Sequence, residues 1–379
     1  MVGLNSRGSG AVSVVGEARV RGIFCGSVVG EARAWGIVCG SVVAGARARW
    51  IVCGLTALVC TIAAVPAIAQ TDLGGQRVGT AAATFLEIGA GARGAAMAGA
   101  FVCIADDATS TQWNPAGLVR VQERQVAFSM VDWPADVAYS HACLAYPVAF
   151  LDGTVGLQFG ALGADMEETT EYFPDGTGRT FSFNDWVAGV SFGKRFTDKF
   201  SGGLTLKYVR EELGTQIGGP VLDTWLLDAG TWYDVGYGSM RLGVALLNFG
   251  PEIRPSGHYR SKRDPRTGAL EYESFAPPTT FKAGVAIDPI QRPGYRLTTA
   301  LEMHHPADNA ETIVMGGELW IGQMLALRTG YDVQADELKF SAGVGVMATL
   351  GMTTGTIDYA YTEGEYLGRI DRVSVALRF

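Results

Sequence analysis

Arg372-Val373-Ser374-Val375-Ala376-Leu377-Arg378-Phe379 alternates without a break to its last residue. Val373, Val375, Leu377 and Phe379 fall on one face of an extended strand, and Arg372, Ser374, Ala376 and Arg378 on the other, because strand side chains alternate sides. An apolar face ending on an aromatic is the pattern expected of the last strand of a transmembrane β-barrel, where it serves as the insertion signal for the barrel assembly machinery. The same alternation recurs upstream. Leu338, Phe340, Ala342, Val344 and Val346 oppose Lys339, Ser341, Gly343 and Gly345. Ile357, Tyr359 and Tyr361 oppose Thr356, Asp358 and Ala360, and Leu204, Leu206 and Tyr208 oppose Thr205, Lys207 and Val209.

Working back along the chain, fourteen strand-like segments can be marked from residue 125 onward: 125–131, 136–147, 153–163, 181–196, 200–211, 224–234, 239–249, 279–288, 295–304, 311–321, 325–332, 338–350, 353–362 and 369–379. A soluble sandwich also alternates, so periodicity alone leaves the inside face undecided. Connection length decides it. Long connections follow odd strands (164–180, 212–223, 250–278), whereas those after even strands are short (197–199, 289–294, 322–324, 351–352). Outer-membrane barrels have long outside loops and short periplasmic turns, and an even strand count puts both ends in the periplasm. The sequence therefore predicts an all-β protein: a transmembrane antiparallel β-barrel of about 14 strands over 125–379, surrounded by outer-membrane lipid.

The N-terminal part predicts export. Arg47 and Arg49 precede an apolar run from Trp50, and Ala67-Ile68-Ala69 has the small-x-small form of a cleavage site. Residues 50–69 thus read as the hydrophobic and cleavage region of a secretory signal peptide, placing the protein in the cell outer membrane. Before it, residues 1–49 are repetitive: SVVGEARVRGIFCG, SVVGEARAWGIVCG and SVVAGARARWIVCG follow one another from Ser13. Units this short bury too little to stack as a solenoid. They read as an extension outside the mature protein, with translation starting near Val42 or Val43. Of the 30 basic and 38 acidic residues, six Arg and two Glu fall in 1–69, leaving 24 and 36 and a net charge of −12. Such an acidic chain argues against nucleic-acid binding. Only Cys103 and Cys143 remain after cleavage, too sparse for a disulfide framework, though a single bridge is left open.

Between the two regions, 70–124 carries a motif. Phe85-Leu86-Glu87-Ile88-Gly89-Ala90-Gly91-Ala92-Arg93 leads to Met97-Ala98-Gly99-Ala100-Phe101, Ala105-Asp106-Asp107 and Trp113-Asn114-Pro115-Ala116-Gly117-Leu118. This closely resembles the N-terminal region of the PorV/PorQ family, within the wider FadL-like group; later stretches, Lys207-Tyr208 and Leu247-Asn248-Phe249-Gly250-Pro251, are similar too. The resemblance spans most of 80–379. It implies a fourteen-stranded barrel with 70–124 folded into the lumen as a plug, in which Gly89, Gly91, Arg93, Asp106, Asp107, Asn114, Pro115 and Gly117 are the motif residues. Ala98 stands where members often have a first glycine of a pair, which puts the close packing there in question. Small residues suit a plug that approaches the wall closely; Pro115 fixes a turn and Gly117 permits a positive φ.

Other constellations are weaker. Gly89-x-Gly91-x-x-Gly94 matches a dinucleotide fingerprint, but no βαβ unit follows and Asp106 and Asp107 come too early, so no cofactor is expected. His304 and His305 fall at a strand end and read as surface residues. The acidic run 165–171 lacks calcium-loop spacing and reads as a solvated outer loop. Ser140 and His141 point to opposite faces and no Gly-x-Ser-x-Gly elbow occurs, so a non-enzyme is expected.

Two functions compete. PorV-like members act with the type IX secretion machinery, so the resemblance implies a partner of secreted cargo or secretion components in surface attachment. Docking would use outer loops, notably 164–180 and 250–278, the latter with Arg254, Arg260, Lys262, Arg263, Arg266, Glu271 and Glu273. The alternative is FadL-like uptake of hydrophobic small molecules, with Gly160-Ala161-Leu162-Gly163 supplying a strand kink for a lateral exit. Against it, the expected lumen faces carry Lys207, Arg296, Glu302, Glu318, Arg328, Lys339, Asp358 and Arg372, which suit water better than a greasy conduit.

Overall fold

The computed structural model describes residues 78–259, 269–335 and 337–379. The repetitive extension and the signal-peptide region lie outside the described residues. Strands β1 (Gln125–Trp133), β2 (Val137–Val148), β3 (Gly153–Glu167), β4 (Thr180–Arg195), β5 (Phe200–Leu213), β6 (Val221–Asp234) and β7 (Arg241–Phe249) follow one another as antiparallel neighbours. After a long loop holding the two-residue rungs β8 (His258–Tyr259) and β9 (Leu270–Glu271), the wall resumes with β10 (Thr280–Arg292), β11 (Tyr295–Pro306) and β12 (Thr312–Ile321). It ends with β13 (Leu325–Asp332), β14 (Phe340–Leu350), β15 (Thr353–Gly364) and β16 (Gly368–Arg378). β16 pairs with β1 from Gln125↔Arg378 to Asp132↔Asp371, so fourteen strands close into a barrel. Closure satisfies the backbone polar groups internally, which the hydrocarbon of a bilayer demands.

The alternating faces fall as the sequence requires. Leu204, Leu206, Ile357, Val373, Val375 and Leu377 are exposed on the outside, whereas Thr205, Lys207, Val209, Thr356, Asp358 and Ala360 are buried in the lumen. Across four adjacent strands Phe159, Trp186, Tyr208 and Trp225 form a row of neighbouring rings, with centroids 6.4, 5.3 and 5.1 Å apart. Such an aromatic girdle belongs at a bilayer interface. All fourteen expected strands are present, but several run further at the long-loop end: β3 reaches Glu167 rather than residue 163, and β6 begins at Val221 rather than 224. There the ladder continues on polar residues, as where Ser182 Oγ donates to Asp165 at 2.8 Å, so no apolar alternation marks it. The expected outer loop 165–171 is therefore strand as far as Glu167. At the other end β10 continues past a bulge between Ile287 and Ile290, which reduces the expected turn 289–294 to Pro293-Gly294.

Residues 78–124 lie before β1. Their structure is four short turns: a 3-10 turn Thr84–Glu87, α1 (Ala92–Ala95), α2 (Ser110–Trp113) and a 3-10 turn Pro115–Arg120. They start at the long-loop end, where Ala82 N–H donates to Ala276 O at 3.0 Å, and leave at the short-turn end through Val121.

Candidate functional site

The plug is seated by small residues on both sides of its contact with the wall. A Cβ added at Gly193 would lie 2.8 Å from the Pro115 carbonyl oxygen, at Gly243 2.9 Å from that of Val102, and at Gly316 2.9 Å from Met97 Cε. No other residue lets wall and plug backbone come this close. Asn114 fixes the approach. Its Oδ1 accepts from Ala116 N–H at 3.1 Å, and its Nδ2 donates to Val102 O at 2.9 Å and Thr231 O at 3.1 Å, joining two plug turns to β6. Pro115 opens the 3-10 turn that follows. Gly117, in contrast to expectation, does not take a positive φ; a Cβ there would collide with the Ala105 carbonyl oxygen, so its role is close approach. Gly89 and Gly94 form a slot for Trp113, whose ring atoms lie 2.7 and 2.8 Å from where their Cβ atoms would be. The indole N–H of Trp113 donates to Ala90 O at 3.0 Å, and Gly91 supplies the turn at φ 89°.

A buried charge cluster holds the other side. Arg93 donates from Nη1 to Asp106 at 2.6 Å and Asp107 at 2.9 Å, and grips Glu318 of β12 through Nε at 2.8 Å and Nη2 at 2.9 Å. Glu318 also accepts from Arg328 Nε at 2.7 Å, and Arg328 Nη1 donates to Asp358 at 2.6 Å. Three motif residues thus meet three wall residues in one network. Burial alone would raise the Asp106 carboxyl, but Arg93, then Arg120, hold it below the usual carboxylate range.

The charges are not spread through the lumen as the sequence suggested. They form groups on both sides of the wall, with Asp185, Lys207, Glu211, Asp228 and Arg241 on β4 to β7, Glu302, Glu318, Arg328 and Asp358 on β11 to β15, and Arg372 on β16, while Lys339 pairs outside with Glu365 and Arg296 lies half-exposed at the short-turn mouth. In the outer half, β1 to β6 and β16 contribute an apolar cluster. Val131, Tyr139, Leu162, Val187, Val209 and Leu226 close around Phe85 and Ile88 of the plug, with Ile253 of the long loop packed among them. Three charged groups interrupt this surface: Asp185, Glu211, which accepts the Ala83 N–H at 3.2 Å, and Arg372, level with Val131, which donates to Thr362 Oγ1 at 2.8 Å. Phe101 lies elsewhere, edge-on to Trp113 and packed with Met97 and Cys103.

Facing the apolar side is a cavity of about 180 Å³ lined by Glu87, Gln112, Trp113, Asn248, Lys282 and His304, among others. Lys282 stands over the Trp113 ring at 5.2 Å. His304 is thus a lumen residue near Glu302, and only His305 is at the surface, with Glu311. Adjacent strand positions take opposite faces, which the reading of the pair as surface residues overlooked. The kink expected at 160–163 is absent: β3 pairs with β2 and β4 without any shift of register. The irregularity lies between Leu227 and Ala229 of β6. Asp228 turns inward there to accept from Asn248 N–H at 2.7 Å and from Lys207, and Lys207 also donates to Asn248 Oδ1. Lys207 was legible as an inward-facing charge and Asn248 only as a family-like residue; Asp228 carried no signal in the sequence. Cys103 and Cys143 are buried and unbonded.

No protein-family model and no curated protein sequence matches the chain. Solved structures do. The Ralstonia pickettii toluene transporter TbuX superposes with a TM-score of 0.51 at 13% identity, covering 76% of this chain and 98% of that one. The P. putida toluene transporter TodX gives 0.51 at 12% identity, covering 76% of this chain and 96% of that one. At such identities the likeness is one of fold, and the chain has the closed, fourteen-stranded antiparallel fold of the FadL-like outer-membrane barrels.

Proposed function

We propose that the protein is an outer-membrane channel for hydrophobic small molecules, with the plug as its closure. The observation that carries this reading is the apolar cluster in the outer half of the lumen, built by Val131, Tyr139, Leu162, Val187, Val209 and Leu226 around Phe85 and Ile88. A water-filled pore would line that height with polar groups. Both structural relatives are described as toluene transporters, which supports the same class of solute. Since β3 is unbroken and the plug fills the lumen below the apolar surface, passage requires the plug to shift, and the Arg93 cluster is the contact to be released. Insertion by the assembly machinery through Val373, Val375, Leu377 and Phe379, and residence in outer-membrane lipid, belong to the same reading.

The secretion-partner reading rests on the PorV/PorQ resemblance. Its motif residues Arg93, Asp106, Asp107 and Asn114 are engaged inside the barrel. Of the loop charges suggested for docking, Arg254 pairs with Glu271 at 3.2 Å, Glu273 is described in the same loop, and Arg260, Lys262, Arg263 and Arg266 lie outside the described residues. The test is uptake of radiolabelled toluene by cells with and without the protein, alongside Val209→Asp, which puts a charge into the apolar wall. Uptake should rise with the wild-type chain and return to the vector level with the variant at equal folded-barrel abundance. Uptake equal to vector for the wild-type chain sinks the channel reading.

A further inference from the structure

The short-turn mouth contains a feature that neither the plug lock nor the apolar chamber uses. A cavity of about 320 Å³ opens there, lined by Arg93, Asp106, Arg292, Arg296, Trp320 and Arg378, among others. A second, of about 240 Å³, shares Asp106 and Arg378 with it and adds Arg120, Gln122, Glu123 and Gln125. Five guanidinium groups therefore surround two adjoining cavities, against the carboxylates Asp106 and Glu123. Arg93 is already matched by Asp106, Asp107 and Glu318. The nearest carboxylate to Arg296 is Glu318 at 3.9 Å, itself held by Arg93 and Arg328.

The remaining donors lack acceptors. Among the described residues Arg292 and Arg378 form no ion pair, and the buried Arg120 Nη1, Arg378 Nε and Trp320 Nε1 have no hydrogen-bond partner. Arg120 lies over the Trp232 ring at 4.8 Å, and burial depresses its affinity for a proton despite the nearby Asp106. A buried donor without an acceptor loses its hydration with no bond in return, and the loss is greater when it is charged. Such a cost is offset when a ligand supplies the acceptors. Planar guanidinium forks match the oxygens of phosphate in paired hydrogen bonds, and several converging forks select a multiply charged oxyanion over chloride.

We propose that this mouth is a binding site for a phosphate group, taken up from the short-turn side between Arg120, Arg292, Arg296 and Arg378. Two sources share that chemistry, a soluble phosphate compound and the headgroup of a phospholipid in the adjoining leaflet. The site is independent of the transport reading, because none of its free arginines touches the apolar chamber.

The experiment is calorimetric titration of pyrophosphate into the full chain, purified in a non-ionic detergent. Saturable binding with one ion per barrel is expected, weakening at least tenfold in R292Q/R296Q and unchanged in R254Q, whose arginine sits in the outer loop. Both targeted residues are exposed at a turn, and the folded state of each variant is checked by its heat-modifiable gel mobility. Competition with a short-chain phosphatidylglycerol separates the sources: displacement of pyrophosphate assigns the site to lipid headgroups, and no displacement assigns it to a soluble compound. Absence of saturable heat at millimolar pyrophosphate, or equal affinity in R292Q/R296Q, overturns the proposal.

Discussion

Ala98 holds a φ of 54°, in the left-handed region where a Cβ clashes with the following carbonyl oxygen at a cost of roughly 1–2 kcal/mol. It is kept there by Gly330, opposite which the plug backbone at Met97–Ala98 lies too close to admit a Cβ. Ala98→Gly should therefore stabilise the barrel, by about 0.5–1 kcal/mol once the extra freedom of glycine in the unfolded chain is subtracted. A higher denaturant midpoint of the detergent-solubilised variant is the expected reading; an unchanged or lower one removes the strain argument. Residues of this kind show what sequence can and cannot reveal. The Ala98-Gly99 pair was legible as a departure from a familiar pattern. That Gly117 serves close approach was not, because a glycine required for space and one required for φ are written with the same letter.

The plug is a separate element held by few, strong contacts. Arg93→Met would leave Asp106 and Asp107 without the guanidinium hydrogen-bonded to them and strip Glu318 of one of the two that hydrogen-bond to it. Removing one partner from a buried ion pair typically costs about 3–5 kcal/mol, so the variant should unfold at distinctly lower denaturant. Acid should act in the same direction. A carboxyl whose folded value is depressed adds stability above its unfolded value near 4 and loses it as pH falls through the folded one. Asp106 is such a group. The denaturant midpoint of the detergent-solubilised barrel should thus decline as pH falls below about 4; a decline beginning near neutrality would point away from Asp106. The lock was half legible. Arg93, Asp106 and Asp107 came with the motif, but Glu318, Arg328 and Asp358 were only inward positions on three strands, and nothing in the sequence says which inward residues share a height in a barrel.

For the whole molecule, the alternation was enough to place all fourteen strands, because a lipid-facing strand must keep its apolar side intact for its whole membrane span. Where strands rise above the lipid that requirement ends, and so did the signal, as at 164–167 of β3. The face assignment has a direct test. Leu206 lies mid-strand on β5 and is 51% exposed. A soluble protein tolerates arginine at such a site, whereas at the middle of a bilayer it costs about 2–4 kcal/mol. Leu206→Arg should lower stability in liposomes by that order, while Leu206→Ile should leave it nearly unchanged; an equally small effect of both would place this surface outside the membrane.

The seam of the barrel has a consequence for the order of folding. The Phe379 amide donates to the Arg124 carbonyl at 3.0 Å, so the last residue is fastened to the one that immediately precedes β1. The plug is joined to the wall through that same segment, and it runs from the outer mouth to the short-turn end. Once β1 and β16 have zipped together, the plug would have to be threaded through a finished ring. Seating the plug therefore belongs before closure or with it, and the seam works as a checkpoint: a chain whose plug is slow to dock should linger as an open sheet.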